Sequence, residues 1–165
     1  MPDFHVAHVN VALPREPIMS ELLAGFVALM EPVNAAADQA EGFVWRCQLV
    51  EEPGFKEVPG LADDRLLVNM SVWESVEALR EFTFTARDHR AAMQQRRTWF
   101  EPLPPPYTAL WWVPAGHVPD VAEAGARLEH LRAHGPTPLA FTFRHVFDPP
   151  PAATALAAPG RATDS

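Results

Sequence analysis

The chain has 165 residues, the length of one domain, so we expect a single core that needs no metal or disulfide for stability. Its 21 acidic and 13 basic residues give a formal net charge of −8, which argues against binding phosphate backbones or anionic lipids. The single cysteine, Cys47, excludes an internal disulfide, and no apolar run reaches the ~18 residues of a membrane span. Because a signal-peptide pattern is also missing, we expect a cytoplasmic protein that binds neither nucleic acid nor membrane.

Hydrophobic periodicity predicts one domain over residues 1–147 and a flexible, Pro- and Ala-rich tail over residues 148–165. In chain order, the predicted elements are a strand Phe4–Leu13, a helix from Pro17 to Met30, a short helix Pro32–Ala40, a strand Phe43–Val50, a strand Arg65–Trp73, a helix Glu74–Thr83, a helix Ala86–Phe100, a strand Tyr107–Val113, a helix from the cap Asp120 to His134, and a strand Leu139–Phe147.

This order is β-α-β-β-α-β followed by one further α-β unit, which predicts an α+β, ferredoxin-like fold. Helices cover one face of such a sheet and leave the other face open. By analogy with this fold, a second copy covers that face, so that two sheets pair as a dimeric α/β barrel and the protein is a homodimer.

Strand alternation divides the predicted sheet into an apolar face and a mixed face. The apolar set on the third strand is expected to meet the helices; it comprises Leu66, Val68, Met70 and Val72. The mixed set combines amides with aromatic or imidazole side chains; it comprises His8 and Asn10 on the first strand and Asn69, Ser71 and Trp73 on the third. Such a lining is typical of a small-molecule pocket, although a half-solvated sheet face has the same pattern.

Aromatic side chains extend this mixed face. Trp45 is predicted on the pocket side, and one of the adjacent pair Trp111 and Trp112 must point there too, since neighbours on a strand face opposite ways. On the helix Ala86–Phe100 one stripe carries His89 among apolar residues, which are Phe82, Ala86, Met93 and Phe100. An imidazole in that position suits a base, a hydrogen-bond donor or a metal ligand, or else a structural histidine.

Several runs of the chain resemble a bacterial family catalogued only as a domain of unknown function, itself similar to the dimeric α/β-barrel, antibiotic biosynthesis monooxygenase-like superfamily. The runs are Gly42–Arg46, Asn69–Glu74, His89–Phe100, Leu110–His117 and Gly135–Pro138 with Ala140–Phe143. That superfamily includes cofactor-free monooxygenases and haem-dependent enzymes. The resemblance implies a site built from an asparagine, an aromatic residue and a histidine, for which Asn10, Trp73 or Phe82, and His89 are similar in position.

The leading hypothesis is a monooxygenase-like enzyme without an organic cofactor that acts on an aromatic or polyketide-like small molecule. Asn10 and Asn69 hold a substrate oxygen, and His89 acts as the acid–base group. Further contacts to the substrate come from aromatic and flanking residues, namely His8, Trp45, Trp73, Phe82, Met93 and Trp111.

Two alternatives remain open. In the first, the enzyme binds haem, with His89 as the axial iron ligand and Arg96 or Arg97 near a propionate. In the second, the protein is a dimer that binds a small molecule without transforming it, and ligand then raises thermal stability without turnover.

Overall fold

The computed structural model describes residues 3–47, 50–51, 66–85 and 94–151. The strands in this part of the chain are β1 (Phe4–Pro14), β2 (Phe43–Arg46), β3 (Val50–Glu51), β4 (Leu67–Trp73), β5 (Phe100–Glu101) and β6 (Thr108–Pro114). The helices are α1 (Ala24–Gln39), α2 (Val76–Thr85), α3 (Arg96–Trp99) and α4 (Val121–His134). None of the helices in these ranges is long and apolar enough to cross a membrane.

The strands form one antiparallel sheet whose central order is β2-β4-β1-β6, with β3 on β4 and β5 on the end of β1. The two crossovers, β1-α1-β2 and β4-α2-β6, therefore each join parallel strands, and the right-handed sense of such crossovers accounts for α1 and α2 sharing a face. The ferredoxin-like, α+β prediction is confirmed.

Helix α1 differs from its prediction because Pro32 does not divide it. Pro32 and Ala28, whose carbonyl loses a hydrogen bond to the missing N–H, are both exposed, so water can satisfy that carbonyl. The chain from Pro17 to Leu23 forms turns before the helix begins at Ala24.

The last predicted strand, residues 139–147, is also absent as a strand. One bridge joins Phe141 to Leu110 of β6, through two backbone hydrogen bonds of 2.8 and 2.9 Å. On either side, the hydroxyl groups of Thr137 and Thr142 accept hydrogen bonds from the backbone N–H groups of Leu139 and His145. These local bonds hold the chain in turns and compete with extended pairing.

Helix α4 covers the apolar face of the sheet. It has the predicted ends, an Asp120 cap that accepts a 2.8 Å bond from the Glu123 N–H and a terminal Gly135 at φ 72°. Its buried Ala124, Leu128 and Leu131 pack on the apolar residues of the central strands, which include Val9, Val11, Val68, Met70, Val72 and Trp111. A helix of the same chain therefore covers the sheet face opposite α1 and α2.

Helices α1 and α2 cover the mixed face, so the prediction that this face is the uncovered one is wrong. Ala37 of α1 and Val76 and Leu79 of α2 pack with Val6 and Trp73 from the sheet. The apolar set does meet a helix, but that helix is α4. The two sets were assigned to the wrong partners because alternation separates faces without saying which crossover packs on each.

Candidate functional site

A cavity of about 540 Å³ lies between the mixed face of the sheet and α1. Its volume falls within the range of small-molecule sites. The floor comes from β1, β4 and β6, and the walls come from α1, the end of α2, α3 and the two segments 105–107 and 142–144. One cavity, partly open to solvent, thus draws on most of the described elements.

A row of polar side chains crosses the cavity floor. The register of the sheet pairs Asn10 of β1 with Asn69 of β4 on one side and with Thr108 of β6 on the other. The Asn10 Nδ2 donates a 2.8 Å hydrogen bond to Thr108 Oγ1. The second N–H of this amide, the Asn10 carbonyl oxygen and the Thr108 hydroxyl proton stay available to a ligand. Asn69 is exposed and its amide bonds to no other described residue, so it is available as well.

The walls of the cavity are mostly apolar and aromatic. Phe26 lies at the junction of two further aromatic rings, 5.6 Å from Trp99 and 5.0 Å from Phe100 between ring centroids. At the other end, the Phe143 ring lies 6.0 Å from the His8 imidazole and 5.4 Å from the Phe84 ring. Apolar walls around a polar floor favour an aromatic ligand that carries a few oxygen atoms.

The charged side chains among the described lining residues are arginines. The Arg96 guanidinium stacks on the Tyr107 ring, with 4.3 Å between Cζ and the ring centroid, and the exposed Arg144 lies beside Phe143. Among the residues described around the cavity there is no aspartate or glutamate. The described part of the lining therefore carries positive charge, within a chain whose net charge is negative.

Cys47 also reaches the cavity edge, where Sγ accepts a 3.2 Å hydrogen bond from the Met70 N–H. Burial raises the pKa of this thiol. A thiol with a raised pKa stays protonated near neutral pH, which argues against a nucleophilic cysteine.

Four of the predicted site residues line the cavity: His8, Asn10, Asn69 and Arg96. His8 and Asn10 are two residues apart on β1 and so face the same side. Their predicted roles in binding or catalysis stay predictions.

Trp73 lies on the mixed face, where Phe82 of α2 packs over it, and neither residue belongs to the cavity lining. The Trp73 indole stacks on Phe82 at 5.2 Å, meets Phe43 edge-on at 5.4 Å, and donates a 2.9 Å hydrogen bond to Ser71 Oγ. Only 1% of Trp73 is exposed, so the packing of α2 separates it from any ligand in the cavity.

Trp45 and Trp111 lie on the opposite face, against the core that α4 covers. For Trp45 the reason is a bulge between Phe43 and Trp45, which reverses the faces of the strand from that point. For the tryptophan pair, Trp112 is the member on the mixed face, where its Nε1 donates a 2.8 Å bond to the Phe147 carbonyl. Neither Trp45 nor Trp111 walls the cavity.

His89 and Met93 lie outside the described residues, so the predicted acid–base group and axial ligand has no described position. Arg97 is exposed and absent from the cavity lining, and its carbonyl accepts a 3.1 Å hydrogen bond from Arg15 Nε. Of the two arginines predicted near a propionate, Arg96 alone faces the cavity.

Sequence reasoning missed Thr108, Tyr107 and the aromatic wall residues Phe26 and Trp99. Thr108 and Trp112 lie four residues apart on β6 and face the same side of the sheet. Placing Trp112 rather than Trp111 on the mixed face would therefore have placed Thr108 there as well. Trp99 comes from a short helix, for which periodicity gives no direction, and the helical spacing of Phe26 in α1 predicts an inward face without showing that this face lines a cavity.

Comparison with known proteins shows the family. Residues 5–157 match the family described as "Domain of unknown function (DUF3291)", and the chain belongs to that family. The resemblance drawn from the sequence motifs is thereby confirmed. No curated protein matches the chain.

Solved structures similar to the chain include monooxygenase-like proteins. A Shewanella oneidensis protein is 10% identical over 67% of this chain and 92% of its own, with a TM-score of 0.49. SnoaB, a cofactor-independent oxygenase from Streptomyces nogalater, is 18% identical over 69% and 95%, with a TM-score of 0.45. A Nitrosomonas europaea protein, provisionally assigned as an antibiotic biosynthesis monooxygenase, is 10% identical over 73% and 97%, with a TM-score of 0.47.

Proposed function

We propose that the protein is a monooxygenase-like enzyme that binds an aromatic or polyketide-like small molecule in this cavity and oxidises it with O₂. The observation that carries the proposal is the polar row Asn69, Asn10 and Thr108 on the floor of an otherwise aromatic and apolar cavity. Amide and hydroxyl groups in that setting orient a phenolic or enolic oxygen, while the walls hold the ring.

The chemistry needs an electron-rich anion and a dry site. Loss of a proton from an acidic phenol or enol gives an anion that transfers electrons to O₂ directly. For a substrate with a ring methylene group, one oxygen atom of O₂ becomes the carbonyl oxygen, and the other leaves as water with the two methylene hydrogens. The N–H groups of Asn10 and Asn69 and the hydroxyl of Thr108 stabilise the anion by donating hydrogen bonds to its oxygen.

The acid–base group in this proposal is His89, as the sequence predicts. Among the described lining residues, His8 is a second imidazole, and it lies on the same strand face as Asn10. A histidine titrates near neutral pH, so either ring suits proton transfer from a phenol.

For the cofactor, we propose that none is needed, with haem as the alternative. Arg96 on the cavity wall suits a haem propionate, which supports one of the two contacts that the haem alternative requires. A visible spectrum of the purified and haem-reconstituted protein separates the two: a Soret band at micromolar haem supports haem binding, and its absence removes it.

The proposal is tested by oxygen consumption with a dihydroxynaphthalene in a metal-free preparation. We expect Asn10→Ala to lower kcat/KM by about tenfold or more, because one stabilising hydrogen bond to the anion is lost. Gln39→Ala, which removes an exposed amide outside the cavity lining, is the control and should match the wild type. Equal rates for the wild type and Asn10→Ala would contradict the proposal that the Asn10 amide stabilises the substrate anion.

A protein that only binds its ligand would instead gain thermal stability with the naphthalene compound and consume no oxygen. The homodimer and the cytoplasmic location stay predictions. Because α4 covers the apolar sheet face, a dimer formed by pairing two sheets would have to displace that helix.

A further inference from the structure

We infer that the ligand of this cavity is an aromatic acid, an aromatic small molecule with a carboxylate that binds the guanidinium of Arg96. The inference rests on the proposed function and names the substrate class of the same site.

The first support is the distribution of charge. Aspartate and glutamate make up 21 of the 165 residues, yet none is among the described residues that line the cavity, whereas Arg96 and Arg144 both are. The described lining of the cavity is therefore positively charged although the chain as a whole is acidic. Such a cavity attracts anions and disfavours cationic ligands.

The second support is the state of Arg96. Arg96 is half-buried, so its charge is partly removed from water, and within residues 3–47, 66–85 and 94–151 no carboxylate forms an ion pair with it. A partly desolvated charge gains more from an ion pair than an exposed one does. A ligand carboxylate would supply the missing partner.

The third support is the geometry of the stack on Tyr107. The guanidinium lies over the ring at 4.3 Å, a cation–π distance that fixes its position. This contact with the ring is not a hydrogen bond, so the guanidinium edge that carries the N–H groups stays available for other partners. That edge is the part of arginine that binds a carboxylate through two parallel hydrogen bonds.

The position of Tyr107 links this anion site to the polar floor. Tyr107 directly precedes Thr108, and its carbonyl accepts a 3.0 Å hydrogen bond from the Val11 N–H, next to Asn10. The arginine and the polar row therefore belong to the same end of one cavity. A single ring can place its carboxylate on Arg96 and its phenolic oxygen on the floor.

The experiment compares the affinities of 2-naphthoate and its neutral analogue 2-naphthamide for the full chain, followed by quenching of tryptophan fluorescence, since Trp99 lines the cavity. We expect naphthoate to bind at least about tenfold more tightly than the amide. Arg96→Gln should bring the ratio of the two affinities to about one by weakening naphthoate alone. Arg96→Lys keeps the charge without the planar fork and should give an intermediate ratio.

Arg46→Gln is the control, because it removes the same charge from a surface ion pair with Asp38 outside the cavity lining, and it should keep the wild-type ratio. Equal affinities in the wild type, no binding of either probe, or a preference that survives in both Arg96 variants would overturn the inference. Oxygen consumption enters none of these measurements. A preference for naphthoate without oxidation of any phenol would therefore count against the proposed function alone, and oxidation of phenols with equal affinities for the two probes would count against the aromatic acid alone.

Discussion

Gly42 joins α1 to β2 with a φ of 81°, and a Cβ atom at this residue would lie 2.6 Å from the Cβ of Ala78 on α2. The close approach lets α2 pack over the end of β2. Gly116 has a similar φ of 91° but has nothing within 4 Å of the position of a Cβ. The two glycines therefore differ in contact and share a backbone conformation that disfavours other residues.

We expect Gly116→Ala to lower the free energy of unfolding by about 1 kcal/mol, the backbone cost alone. Gly42→Ala should lower it by about 2–4 kcal/mol, because α2 must shift to relieve the contact with Ala78. Urea unfolding of both variants measures the difference. Equal losses would mean that α2 moves freely at this contact.

Single residues of the floor could be predicted from the sequence, because β1 and β4 are regular and alternation holds along them. His8, Asn10 and Asn69 were found in this way. Trp45 could not be, since one bulge residue reverses a strand and leaves no mark in the hydrophobic pattern. Arg96 was predicted as a partner of a haem propionate, and its contact with Tyr107, which depends on segments distant in sequence, could not be predicted.

At the scale of elements, α1 and α4 are of similar length but are packed very differently. Ala37 is the buried residue of α1, whereas α4 buries Ala124, Gly125, Leu128 and Leu131. The inner side of α1 instead faces the cavity through Phe26, Leu29, Met30 and Val33. Helix α1 thus buries fewer residues in the core than α4 does.

We expect backbone amides of α1 to exchange with deuterium faster than those of α4, and to slow when 2-naphthoate fills the cavity. Helix α4 is the internal control, because it lies on the other face of the sheet and should keep its exchange rate. Hydrogen exchange read by mass spectrometry measures both helices in one sample. Equal slowing of the two helices would indicate a general stabilisation rather than contacts with α1.

Elements whose ends carry capping residues in the sequence were predicted more accurately than elements without them. Both ends of α4 carry local chemistry, an aspartate cap and a terminal glycine, and both were predicted. The start of α1 has no side-chain cap at Leu23, and its interior proline misled the prediction of two helices. The segment 139–147 has the composition of a strand, but threonine side chains fix it in turns.

For the whole molecule, the main consequence of α4 is that both faces of the sheet are covered by one chain. The order of elements predicted the sheet but not this arrangement, because a terminal helix can pack on its own sheet or on a neighbour's with the same sequence pattern. The fit of Leu128 and Ala124 to the apolar strands places α4 on its own sheet, and hydrophobic periodicity does not show this fit.

We expect Leu128→Ala to lower the free energy of unfolding by about 2–5 kcal/mol, since a fully buried leucine is lost from the core. Leu139→Ala, at a leucine that is 56% exposed, is the matched control and should change stability by about 0.5 kcal/mol or less. Sedimentation should give one mass for the wild type and both variants. A folded Leu128→Ala protein of different mass would identify the sheet face as a contact between copies.

The central strand β1 serves two purposes at once: alternate residues build the core under α4 and the base of the ligand site. A shift of β1 by one residue would exchange these two sets of side chains. The register that builds the core therefore also places the polar residues of the cavity floor. The surrounding walls come from separate segments, among them α1 and the turns at 105–107 and 142–144. Relatives can therefore diverge in what they accept by altering α1 or the turns, while the strand beneath them remains the same.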